Sequence, residues 1–190
     1  GLLKIFFGMA PGVGKTYAML EAAIQAAGKG VQVMIGVAES HGREDTMRLI
    51  GRLPRLPMKK MAYRGVQMEE FDLEEALRVK PQLILVDELA HTNVPGMRHR
   101  KRYQDVEDLL AAGIDVYTTL NVQHLESRSD TVHDITAAPV QETVPDSVLA
   151  EADCIQLVDI TPEQLRTRLQ EGKVYSAPQA SAALNHFFKE

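Results

Sequence analysis

The chain has 190 residues, 45% of them hydrophobic and 5% aromatic, a formal net charge of −5 and one cysteine, Cys154. That length suffices for one domain with a continuous core, and a pI near 5.7 argues against nucleic acid as a partner, because affinity for a phosphate backbone comes from clustered Lys and Arg releasing counterions. A lone cysteine excludes an intrachain disulfide, and no apolar run reaches the roughly 18 to 20 residues that cross a bilayer.

A reducing, cytosolic setting with no membrane insertion of this segment is therefore expected, and the apolar surroundings of Cys154 lead us to expect it buried. A chain that opens at Gly1 without Met is compatible with a segment of a longer, membrane-bound protein.

In chain order, the first apolar run, Leu3 to Phe7, reads as a strand and Thr16 to Ala27 as an amphipathic helix closed by Gly28. Val31 to Val37 is the second strand, Arg43 to Ile50 the second helix, and Arg52 to Pro57 a loop. Met58 to Tyr63 is the third strand, followed by a helix over Leu73 to Val79 and a strand over Leu83 to Val86. Tyr103 to Ala112 is a helix closed by Gly113, Val116 to Leu120 a strand, and Ile155 to Val158 the last strand. Thr161-Pro162-Glu163-Gln164 predicts a helix over Pro162 to Glu171, with a cap, a first-turn proline and a capping-box Gln. The alternation predicts an α/β fold of the P-loop NTPase kind, a mainly parallel sheet with helices on both faces, over residues 1–190 as a single nucleotide-binding domain. Continuous apolarity in the strands suggests burial on both sides.

The strongest chemical signal is Gly8-Met9-Ala10-Pro11-Gly12-Val13-Gly14-Lys15-Thr16, between a strand and an Ala-rich helix. Small residues let backbone N–H groups turn inward around an anion, and the helix N-terminus adds partial positive charge. The usual pattern has glycine where this chain has Met9, and here Gly8 stands one place earlier. Lys15 is expected to reach the β and γ phosphates of ATP, and the Thr16 hydroxyl to coordinate Mg²⁺. The second signal, Leu83-Ile84-Leu85-Val86-Asp87-Glu88, is an apolar strand ending in two carboxylates, as in a Walker B segment. Asp87 is expected in the Mg²⁺ shell, directly or through water, and Glu88 to polarise an attacking water or hydroxyl. The expected set is thus Pro11, Gly12, Val13, Gly14, Lys15, Thr16, Tyr17, Asp87 and Asn121 for nucleotide, Thr16 and Asp87 for metal, and Glu88 with Lys15 for catalysis.

Three further segments have competing readings. Asn121, Gln123 or His124, after the strand Val116 to Leu120, either stand near the γ-phosphate or serve as a helix cap and packing residues. Glu39-Ser40-His41-Gly42-Arg43 is either a switch loop or a plain turn. The basic run from Arg98 to Arg102 is ordinarily a solvated face, against an arginine, Arg98 or Arg102, that faces phosphate across a homo-oligomer interface.

Taken together, PGVGKT, ESHGR, LPRLP, YRGV, EEFDLEEAL, LILVDELAHTN, PGMRHRKRYQDVEDLL, AGIDVYTTLNVQHLES, ETVPDSV and EGKVY resemble, over essentially the whole chain, the cytoplasmic N-terminal domain of the bacterial osmosensitive potassium sensor histidine kinases of the KdpD family. Arg100 and Tyr103 depart from the Pro and Trp usual there. The resemblance implies a regulatory ATP-binding domain, with Mg²⁺, in a two-component sensor anchored in the cell membrane and responding to potassium limitation. It implies as partners the other domains of the parent, its response regulator, and a potassium-uptake ATPase. The kinase core would lie outside this segment, so none of His41, His91, His99, His124, His133 and His186 is expected to be the phosphoacceptor. A second reading is an active P-loop ATPase or a protein Ser/Thr phosphotransferase. A nucleic-acid motor ranks last, on charge and on the absence of a second motor domain.

Overall fold

A computed structural model describes residues 1–9, 12–125 and 142–159. The expected helix at Pro162 to Glu171, with Pro11, His133 and His186, lies outside the described residues.

The chain runs β1 (Leu3–Gly8), α1 (Lys15–Gly28), β2 (Val33–Val37), α2 (Glu44–Ile50), β3 (Lys59–Tyr63), β4 (Val66–Glu70), α3 (Leu73–Val79), β5 (Leu83–Val86), α4 (Arg102–Ala111), β6 (Asp115–Asn121), a 3₁₀ turn (Val122–His124), α5 (Ser147–Glu151) and β7 (Cys154–Val158). Five strands form a parallel sheet in the order β2-β5-β6-β1-β7. Successive side chains leave a strand on opposite faces. Phe6, Ile35 and Leu85 accordingly share one core with Met19, Leu20 and Ala23 of α1. Ile5, Phe7, Ile84 and Val86 pack on the other face with α3, α4 and α5. The expected α/β class, with helices on both faces, is what forms.

Several local expectations need correction. Met58 to Tyr63 does not join the parallel sheet. Lys59–Tyr63 instead pairs antiparallel with β4, which the sequence reading missed, through a tight turn at Arg64 (φ 50) and Gly65 (φ 76). A two-residue turn with both residues at positive φ matches the right-handed twist of a hairpin. This hairpin is largely exposed, with Val66 60% and Met68 41% accessible. Its root is held where the Phe71 ring lies against Gly36 of β2, so close that a Cβ at Gly36 would come within 2.6 Å of the ring.

The first helix is closed two residues later than expected, by Gly30 (φ 90), with Gly30 N–H donating to Ala27 O and Val31 N–H to Ala26 O. Gly113 (φ 84) closes α4 with the same pair of bonds, as expected. Cys154 is exposed rather than buried, because β7 is an edge strand. Among the described residues no helix is long and apolar enough to cross a membrane.

Candidate functional site

In a parallel sheet every strand delivers its carboxyl end to the same edge, where ligands of open α/β folds bind. Here β6 stands between β1 and β5, and Gly8 is level with Asn121. The glycine loop, the Asp87-Glu88 pair and the end of β6 therefore converge on one cavity of about 590 Å³. It is lined by Gly12, Gly14, Lys15, Thr16 and Tyr17 on one side and by Asp87, Glu88 and Asn121 on another.

The loop is shaped by Gly12 (φ 83) and Gly14 (φ 96), conformations that side-chain-bearing residues adopt only under strain. Gly8, one place before Met9, stands where the loop leaves no room for a side chain. A Cβ on Gly8 would sit 2.9 Å from both Lys15 Cδ and Val13 Cγ2. A glycine at position 8 leaves the space in which the Lys15 stem crosses the end of β1, while Met9 packs against the core. Lys15 is 9% accessible. Burial lowers its pKa, and the charges of Asp87 and Glu88 oppose that fall.

Asp87 is fully buried and its carboxylate collects donors from four elements. Thr16 Oγ1, on the first turn of α1, lies 3.0 Å from Oδ2 and 3.2 Å from Oδ1. Glu39 N–H donates to Oδ2 at 2.9 Å and Glu88 N–H to Oδ1 at 3.1 Å. Thr119 Oγ1, from β6, also donates to Oδ1, and it accepts from Glu88 N–H at 2.9 Å. Nothing local in the sequence singles out Thr119; the signal that finds it is topological, since strand order brings β6 beside β5.

Glu88 adopts φ 57, strained for a residue with a side chain. Its carboxyl is raised above its ordinary pKa by burial and by neighbouring Asp87 and Glu39, against the lowering effect of Arg102 and His41. A carboxylate tuned upward at the edge of a polar cavity has the character of a general base.

The competing readings resolve in part. Asn121 makes no side-chain capping bond to the 3₁₀ turn that follows it, so the cap reading fails. It is 9% accessible, lines the cavity, and its Oδ1 is buried without a hydrogen-bond partner among the described residues. His124 also lines the cavity, where burial lowers its pKa. The loop after β2 reaches both walls: Arg43 Nη2 donates to Gly12 O at 2.8 Å, and His41 Nε2 stands 3.3 Å from Glu88 Oε1.

The basic run is neither a plain solvated face nor a source of a trans-acting Arg102. Arg102 is 3% accessible; its Nη1 donates to the backbone carbonyl of Asp87 at 2.8 Å and its Nη2 lies 3.5 Å from Glu70 Oε2. Arg98 and His99 both face Asp108, and Lys101 Nζ donates to Ala90 O and Thr92 Oγ1. Glu70, at the root of the hairpin and 1% accessible, is a buried partner of this run that the sequence did not reveal. It accepts from His91 Nε2 at 3.0 Å and Val94 N–H at 3.1 Å.

A family model described as the osmosensitive K⁺ channel His kinase sensor domain, KdpD, matches residues 1–190. The chain is 55% identical over 190 residues to a sensor protein KdpD of Escherichia coli, covering 100% of this chain and 21% of that protein. It is 54% identical over 188 residues to a sensor protein KdpD of Clostridium acetobutylicum, covering 99% and 21%. A putative sensor protein KdpD of Synechocystis is 53% identical over 189 residues, covering 100% and 51%. The chain thus spans about a fifth of the length of the first two relatives and about half of the third.

Proposed function

The chain belongs to the KdpD family of sensor domains, and from that premise we propose that it is a regulatory module that binds ATP with Mg²⁺ inside a membrane-anchored, potassium-responsive sensor histidine kinase. The observation that carries this reading is the meeting of Thr16 and Asp87 beside the turn at Gly12 and Gly14, on a cavity whose wall holds a buried lysine.

The donor set fits the group. Mg²⁺ prefers oxygen ligands and is held by one or two protein groups together with phosphates and water, and here the oxygens are Thr16 Oγ1 and the Asp87 carboxylate. Asp87 already accepts from Thr16, Glu39, Glu88 and Thr119. A carboxylate so fully engaged favours the water-mediated role, with the Thr16 hydroxyl turning its oxygen to the ion. Bound Mg²⁺ would supply neutralisation of phosphate charge. Gly12, Val13, Gly14 and Tyr17 would surround the phosphates, Lys15 would pair with them, and the unpartnered Asn121 Oδ1 asks for a donor from the ligand or its water shell.

On this reading the nucleotide state passes to the kinase activity of the parent and through it to a response regulator, with a potassium-uptake ATPase further downstream. The test is calorimetric titration of ATP, GTP and ADP with Mg²⁺ into wild-type and Lys15→Ala protein. Selective ATP binding that the substitution abolishes supports the proposal; a folded wild type that binds none of them refutes it.

A second reading, an ATPase or a protein Ser/Thr phosphotransferase, draws on Glu88 alone, whose raised pKa and strained backbone suit a base. Glu88→Gln that binds ATP as the wild type does but loses all phosphate release would favour it.

A further inference from the structure

The nucleotide site proposed above leaves open what tells a triphosphate from a diphosphate, and the loop after β2 answers it. Among the described residues lining the cavity, the two lysine or arginine side chains are Lys15 and Arg43. Lys15 is buried beside Asp87 and Glu88, and those two carboxylates oppose the lowering of its pKa, so much of its charge is already engaged within the protein. A third phosphate adds further negative charge to a cavity that also holds Glu39 and Glu142. Mg²⁺ would offset part of that charge, and a second protein cation beside the terminal phosphate would offset more.

Arg43 is placed to be that cation. His41 and Gly42 both take positive φ, 50 and 75, which turns the chain beside the cavity that His41 and Arg43 line. Two residues separated only by Gly42 consequently touch opposite walls, Arg43 the carbonyl of Gly12 and His41 the carboxylate of Glu88. With the helix N-terminus on the inner phosphates and Lys15 reaching the β and γ phosphates, the outer face of the terminal phosphate is directed to the gap between the glycine loop and Glu88, which this loop bridges. The Arg43 contact is also easily exchanged. Arg43 is exposed and its partner is a neutral carbonyl, whereas a guanidinium binds a phosphate through shorter, charge-assisted and often bidentate bonds.

We propose that Arg43 is the specificity-determining residue for the third phosphate, exchanging Gly12 O for the terminal phosphate of ATP, so that the loop Glu39 to Arg43 reports the triphosphate state. This rests on the nucleotide reading above.

The test is titration of the 190-residue chain and its Arg43→Ala, Arg43→Gln and Lys15→Ala variants with Mg²⁺ and either ADP or a non-hydrolysable ATP analogue. Both Arg43 variants should bind the triphosphate analogue at least tenfold more weakly while ADP affinity stays within about twofold, as expected for loss of a charge-assisted contact. Lys15→Ala should weaken both ligands. Equal weakening of the two ligands by the Arg43 variants, or none, overturns the role of Arg43 and leaves the site intact. A wild type that binds neither ligand overturns the site and this proposal with it. Arg43 is at the surface, and an unchanged thermal melt with the Gln variant separates binding from folding.

Discussion

Replacing Arg102 with Met should destabilise the protein more than any surface substitution in the same basic run. The guanidinium is 3% accessible and spans two groups that belong to different parts of the fold, the Asp87 carbonyl at 2.8 Å and the Glu70 carboxylate at 3.5 Å. A methionine fills similar space and donates nothing. The Asp87 carbonyl then loses a buried donor, at a cost of about 1–3 kcal/mol. Glu70 keeps its bonds to His91 and Val94 but loses its buried counter-charge, and breaking such a pair costs about 3–5 kcal/mol in total. Urea unfolding followed by circular dichroism at neutral pH should register that loss, together with a fall in melting temperature of roughly 10 °C. Glu70→Gln alone should cost about 2 kcal/mol, and the double variant should be more stable than the sum of the single losses by about 1–2 kcal/mol. Strict additivity, or a loss under 1 kcal/mol for Arg102→Met, would refute the buried bridge. Arg100→Met, at an exposed position in the same run, should stay within about 0.5 kcal/mol of wild type.

Thr119→Val keeps the shape of the side chain but removes the donor to Asp87 and the acceptor for Glu88 N–H, so it should cost about 1–3 kcal/mol in thermal unfolding; an unchanged melt would show that the hydroxyl is dispensable. Glu88→Gly should stabilise the fold by about 1 kcal/mol, since φ 57 costs glycine nothing, while removing the carboxylate from the cavity; a destabilised variant would contradict the strain. Burial, against the hydrogen bond from Asn93, pushes Asp105 up to about 6 from its ordinary 3.8. The folded state therefore holds the proton more tightly than the unfolded one. Its contribution is fully present below about pH 4 and is lost as pH rises through 6, amounting to about 3 kcal/mol. Glu70 works oppositely: burial raises it, but the bonds from His91 and Val94 and the charge of Arg102 hold it below its ordinary value, so its stabilisation is lost only in stronger acid. The stability difference between wild type and Asp105→Asn should accordingly change across pH 4 to 6, and a constant difference would contradict the raised carboxyl.

The glycine loop and the Asp87-Glu88 pair were legible because their chemistry is written in contiguous residues at strand ends, and the structure brings Thr16 and Asp87 to within 3.0 Å. Asn121 was half legible, its two readings separated only by the missing cap bond. Thr119, Glu70 and the true position of Arg102 could not be read locally, because each acts on a residue at least 15 places away in the chain. Arg102 sits among basic neighbours and looks solvated; it is buried because α4 starts beneath Asp87. The hairpin escaped for the opposite reason. Met58 to Tyr63 is apolar enough to pass for a core strand, but Lys59 and Lys60 fit an exposed ribbon, and the Arg64-Gly65 turn was the local clue.

The hairpin is held most firmly at its base, with a lighter touch midway along β3 where the Met61 side chain lies close to Gly96. Phe71 wedged against Gly36 and Glu70 locked to Arg102, His91 and Val94 hold its base, while Val66 and Tyr63 at its turn lie far from those anchors. Backbone amides along β3 and β4 should therefore exchange with solvent in a gradient, fast beside Gly65 and slow beside Lys59 and Glu70, as the ribbon unzips from its tip and stops at the charged root.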